Sequence, residues 1–184
     1  MDKKTRSNYE TLWSDDGEAR YQAMLEILEE TERPVDWAYE VWDDLLQKLA
    51  DKDNHVRAIA AQMLCNLSRS DPEKRMLGDF PRLLAVTKDE RFVTARHCLQ
   101  AIWKVGTAGK EQQEMVVAGL SGRFFECASE KNCTLIRSDI IQCLKDLYRQ
   151  VGDEAVQTEA LRLIEAEPDE KYRKKYSSIW RAKR

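Results

Sequence analysis

The chain has 184 residues, 42% hydrophobic and 34% charged, with seven Gly, four Pro and a formal net charge of −3. A chain of this length buries about two thirds of the surface it exposes when unfolded, so it needs no disulfide or metal staple. Gly and Pro are too scarce for the many tight turns of a sandwich or barrel, no apolar run approaches the roughly 18 residues of a membrane span, and the N-terminal stretch lacks the apolar core of a signal peptide, which together predict an all-α protein that stays in the cytoplasm and off the membrane.

Apolar residues recur at i, i+3, i+4 and i+7, the period of helices with one buried face, and no stretch sustains alternation. Residues 1–16 predict an arm or short helix in which Trp13 folds back over the first full helix. Tyr21, Met24, Leu25 and Leu28 make the stripe of that helix. Ala38, Val41, Trp42, Leu45 and Leu49 make the next, in a helix that Pro34 is placed to open. Val56, Ile59, Ala60, Met63, Leu64 and Leu67 make the third. Asp71-Pro72 is then a start signal for a short element, and Pro81 predicts a break ahead of Leu83 and Leu84. Later stripes run through Ala95–Trp103, Val116–Phe124, Ile136–Leu147, Val156–Ile164 and Tyr172–Trp180. Trp103 falls on its stripe and reads as core. The sum is about nine helices, spaced so that helix pairs repeat roughly every 40 residues.

That period has a register. Laying His55–Leu64 over Thr94–Trp103 and Leu135–Leu144 aligns nearly every apolar position and brings Arg57, Arg96 and Arg137 to one site. An acid precedes each by six or seven residues: Asp51 before Arg57, Asp89 before Arg96, Glu130 before Arg137. Acids in the turn and an Arg in the first turns of the second helix predict a structural ladder within or between units. The segment Asp51-Lys-Asp-Asn-His-Val-Arg-Ala-Ile-Ala-Ala-Gln-Met-Leu64 resembles the turn and second helix of a HEAT repeat, and the resemblance extends more weakly over residues 35–150. It implies a right-handed α-α superhelix, a HEAT-like (armadillo-like) solenoid filling residues 1–184 as a single domain, whose second helices line a concave surface used for binding. It implies no particular activity.

Charge is unevenly spread. Eleven acids against Arg20 and Arg33 lie between Asp15 and Asp44, whereas residues 169–184 carry seven bases against Asp169 and Glu170. That last segment places Lys174 and Arg181 among aromatic residues at helical spacing. It predicts a capping helix with a basic outer face, or alternatively a patch for nucleic acid or another anionic surface. Trp37, one position off its stripe, is a candidate partly exposed anchor. Asp139 stands where Ile59 and Cys98 stand in the alignment, which predicts either a carboxylate in an open part of the helix contacting Arg96 or Arg137, or one that meets a ligand. His55 and His97 read as separate surface residues. Five cysteines without a Cys-x-x-Cys pattern, and two histidines 42 positions apart, predict reduced thiols and no metal site. The glycines match no phosphate-binding loop, and no cofactor is expected.

Two functions, from different classes, are compatible with this pattern. The first is a non-enzymatic scaffold that binds a partner macromolecule, a protein, through its helical surface. The second, implied by similarity to HEAT-like alkylpurine DNA glycosylases, is an enzyme using Trp and Asp residues in a basic groove. The acidic first half disfavours the second, because neutralising phosphates needs clustered Lys and Arg.

Overall fold

The computed structural model describes residues 1–181. Among them the chain forms ten α-helices, joined by loops and short 3-10 turns, and no strand. It divides into two compact units, Met1–Cys98 and Leu99–Arg184. The first contains α1 (Lys3–Thr11), α2 (Gly17–Glu30), α3 (Ala38–Lys48), α4 (Asn54–Leu67), α5 (Met76–Ala85) and most of α6 (Phe92–Ala101). The second contains α7 (Lys110–Glu126), α8 (Cys133–Val151), α9 (Glu154–Glu165) and α10 (Glu170–Arg181). The one helix beyond the nine expected is α1, formed by the leading segment. No helix of the described residues is long and apolar enough to cross a membrane.

Local chemistry starts and stops these helices. Asp2, Asp16, Asp53 and Asp153 each accept backbone N–H bonds from the first turns of α1, α2, α4 and α9, satisfying donors that have no partner inside the helix. Gly152 ends α8 in the left-handed region at φ 66°, where a side chain would be strained.

In the first unit the core gathers Leu12, Ile27, Trp42, Leu45, Met63 and Leu83, all at 0% exposure. Trp42 is core as its stripe predicts, and its indole donates to Asp79 Oδ2 at 2.9 Å. Three expectations need correction here. The helix after Pro34 begins only at Ala38, because the intervening segment is tied elsewhere: Val35 N donates to the Ser70 hydroxyl at 2.9 Å. Pro81 does not break its element, and α5 runs through it. Burial of Met76, Phe80 and Leu83, with a strong anchor at the helix start, outweighs the one backbone bond that Pro81 removes. Tyr21 and Leu25 do not pack inward. Ala23 and Ile27 are the buried residues of α2, leaving Tyr21 51% and Leu25 43% exposed.

In the second unit Val116, Leu120 and Phe124 of α7 pack with Ile136, Ile140 and Leu144 of α8. Gly106 lies so close to Leu147 that a Cβ there would meet its methyl groups at about 2.9 Å. Trp103 is not core: it is half-buried in a 3-10 turn, Ile102–Thr107, beside Gln100, Lys104, Asp146 and Arg149. The 3-10 twist carries it off the helical stripe that places it inward.

Candidate binding groove

A groove of about 280 Å³ opens on the first unit between α2, α4 and α6. Tyr21 and Met24 of α2 form one wall, Ala58, Ile59 and Gln62 of α4 the floor, and Val93, Thr94 and His97 of α6 the other wall, with Gly17, Arg20, Asn54 and His55 completing the lining. The contributions of α4 and α6 are equivalent in the repeat alignment: Asn54 with Val93, His55 with Thr94, Ala58 with His97. Val93 is 64% exposed, unusual for a β-branched aliphatic residue. In the second unit Leu135 of α8, which shares the alignment column of His55 and Thr94, is also exposed.

Arg20, His55 and His97 line the groove, and no carboxylate of the described residues does. Arg20 is held by a bond to Ser14 O at 3.0 Å. Desolvation by the groove walls, then the charges of Arg96 and His55, holds His97 below the ordinary histidine value. Sequence spacing left these two histidines unrelated. Only the packing of α4 beside α6 brings them to one site, and the signal that could have found them is that their columns in the repeat alignment lie three apart, one helical turn on the same face.

The ladder runs between helix pairs. Arg57 on α4 grips Asp89, in the turn before α6, with Nε to Oδ2 at 2.5 Å and Nη2 to Oδ1 at 2.8 Å. Its Nη1 also donates to the carbonyl of Asp51 at 2.8 Å, so Asp51 contributes its backbone rather than its carboxylate. Burial pushes the Asp89 carboxyl up, but the bonds from Arg57 and Arg91 outweigh it and leave it below the usual value. The second unit repeats the device. Arg137 on α8 donates through Nη1 to Glu167, in the turn before α10, at 2.7 Å and through Nε to Phe124 O at 3.0 Å, while its guanidinium lies 4.6 Å from the Phe124 ring centroid. Glu130 is taken instead by buried Arg123, in a fork of 2.6 and 2.8 Å. Each of these two arginines thus reaches past one helix to an acid in the turn beyond it, so Glu167 was the missing member and Glu130 the wrong one for Arg137. Arg96 lies over the Phe92 ring at 5.9 Å.

The remaining candidates are dispersed. Trp37 is 4% exposed and donates its indole N–H to Glu30 Oε1 at 3.0 Å, so it is a packed residue and not an exposed anchor. The loop that delays α3 turns it inward. Asp139 is 9% exposed, which corrects its placement in an open groove. Tyr172, Tyr176, Ile179 and Trp180 form the inward stripe of α10, with the Tyr176 hydroxyl donating to Thr134 O at 3.1 Å and Trp180 against Tyr148. Lys174 and Arg181 are exposed on its outer face, as the spacing predicts, and Lys174 pairs with Glu170 at 2.7 Å. Lys183 and Arg184, which belong to the same basic run, lie outside the described residues. No group of three metal-binding side chains forms among the described residues.

No protein-family model matches the sequence. No curated protein matches it either. Among solved structures, the chain is similar to the crystal structure of an engineered protein from the Northeast Structural Genomics Consortium, at 14% identity and a TM-score of 0.51, over 98% of this chain and 95% of that one. A likeness at that identity carries the all-helical fold and nothing about activity.

Proposed function

We propose that the protein is a non-enzymatic HEAT-like binding module that takes a segment of a protein partner, an apolar side chain next to a carboxylate, in the groove between α2, α4 and α6. One observation carries this reading: an open apolar floor and walls, built from equivalent positions of two aligned helices, rimmed by Arg20, His55 and His97 with no acid among the lining. An exposed Tyr21 and Val93 at the mouth supply the kind of surface that an apolar anchor covers. The Arg20 guanidinium meets a carboxylate, with the two imidazoles beside it as hydrogen-bonding groups, and helps fix its orientation. The forward ladder supports the repeat reading, because Arg57 and Arg137 perform the same task in the two units. The glycosylase-like alternative has no comparable support, since Asp139 is buried and the groove between α2, α4 and α6 offers two histidines and one arginine rather than a bank of bases.

The test is selection from a displayed random-peptide library followed by chemical-shift mapping on labelled protein. Selected peptides are expected to carry an aromatic or branched anchor flanked by Asp or Glu, to shift the resonances of His55 and His97, and to lose tenfold or more in affinity for Val93→Asp. Peptides that map to α10, or that bind Val93→Asp as tightly as the native protein, would overturn the proposal.

A further inference from the structure

Cys127 caps the C-terminus of α7, and Cys133 opens α8. The turn between the helices brings their sulfur atoms to 3.1 Å. Closing a disulfide from there needs the two sulfur atoms to approach by about 1 Å, to ~2.05 Å. The other three cysteines, Cys65, Cys98 and Cys143, are buried in helices. Cys127 is fully buried and its Sγ points to Phe124 O at 3.3 Å, whereas Cys133 is half-buried and within reach of solvent. Arg137 lies one turn beyond Cys133 on α8, and its positive charge acts on both sulfurs. We propose that Cys127 and Cys133 form a dithiol modification site that closes reversibly into a disulfide when it reduces a small disulfide of the glutathione class.

The difference in burial orders the steps. Burial, the neighbouring Cys133 thiol and its charge push the Cys127 thiol up to about 12, against a smaller opposing effect of Arg137 and Arg123. Cys127 is therefore the resolving thiol, and the accessible Cys133 attacks first. Cys133 gives its proton to water and its thiolate attacks one sulfur of the small disulfide, breaking its S–S bond, forming a mixed disulfide and releasing one small thiolate that takes that proton back from water. Cys127 then gives up its proton and attacks the Cys133 sulfur, expelling the second small thiolate, which takes that proton. Two protein thiols are oxidised, one small disulfide is reduced to two thiols, and the protein is lighter by two hydrogen atoms. The ring so closed spans residues 127–133 and contains Glu130, which already holds Arg123, so oxidation clamps the α7–α8 turn one helical turn ahead of Arg137, which reaches Glu167.

The experiment equilibrates the intact protein in glutathione buffers of increasing oxidised-to-reduced ratio, alkylates it and digests it with trypsin, which cuts at Lys131 between the two cysteines. The peptides 124–131 and 132–137 are expected to run as one species in oxidising buffer and to separate on reduction. Their recovery as two alkylated peptides after equilibration in oxidised glutathione would overturn the site. Under the same treatment Cys127→Ser is expected to accumulate a mixed disulfide at Cys133, and Cys133→Ser to leave Cys127 reduced. The reverse pattern, with glutathione on Cys127, would overturn the order of attack.

Discussion

Arg137 is the most consequential single side chain in the second unit. Its side chain is 11% exposed and that of Glu167 only 4%, so removing the guanidinium would leave a carboxylate desolvated with its ion-pair partner gone. Loss of one member of a buried pair costs about 3–5 kcal/mol, far above the 0–1 kcal/mol of an exposed one. Arg137→Ala is therefore expected to lower the unfolding free energy by about 3 kcal/mol in a denaturant titration. Arg137→Lys should recover part of that, because an ammonium keeps the charge but cannot fork between Glu167 and the Phe124 carbonyl or lie flat on its ring. A change below about 1 kcal/mol for the alanine variant would mean that the pair is no structural rung. The position of Arg137 was readable in the sequence from its alignment with Arg57, and its partner was not. An acid precedes Arg137 by seven residues and another follows it by thirty, and only the path of the chain decides that the distant one faces it.

At the scale of the element, α5 illustrates how tertiary anchors override local signals. Asp71 is 8% exposed and takes three donors: the Tyr39 hydroxyl from α3 at 2.5 Å and Arg75 N at 2.9 Å, both on Oδ1, and Met76 N at 2.8 Å on Oδ2. One carboxylate thus satisfies the start of α5 and pins it to α3. The Asp71-Pro72 start signal was legible; that Pro81 would be absorbed was not, because the tolerance comes from Asp71 and from Phe80 burial rather than from the flanking residues. Asp71→Ala strands those donors in a buried site and is expected to cost about 2–4 kcal/mol, whereas Tyr39→Phe, which deletes a single hydroxyl, should cost about 1 kcal/mol. Thermal or denaturant unfolding of the two variants side by side checks the ratio; equal losses would assign the anchor to Tyr39 alone. The same limit explains α2. Periodicity marked Tyr21, Met24, Leu25 and Leu28 as an apolar face, but a face is known as core only once something covers it, and at Tyr21 the neighbouring helices leave a groove instead.

For the whole molecule, the pattern of bonds makes a claim about cooperativity. Arg57 joins α4 to the turns at Asp51 and Asp89, and Arg137 joins α7 and α8 to the turn at Glu167, so neither rung shares a residue with the other. If the chain is a HEAT-like repeat array, stability is a sum of local terms and nearest-neighbour contacts, and a lost rung loosens its own neighbourhood first. Hydrogen exchange read peptide by peptide separates this from all-or-none unfolding. Arg57→Ala is expected to speed exchange in α4 and α5 while α9 and α10 keep their native protection, and Arg137→Ala to speed it in α8, α9 and α10 while α2 and α3 keep theirs. A destabilised but single cooperative domain would respond with an equal loss of protection in its slowest amides everywhere, whichever arginine is removed. Such a uniform response would sink the array and, with it, the argument that the equivalent positions of α4 and α6 were shaped as a repeating surface rather than meeting at the groove by the packing of one particular core.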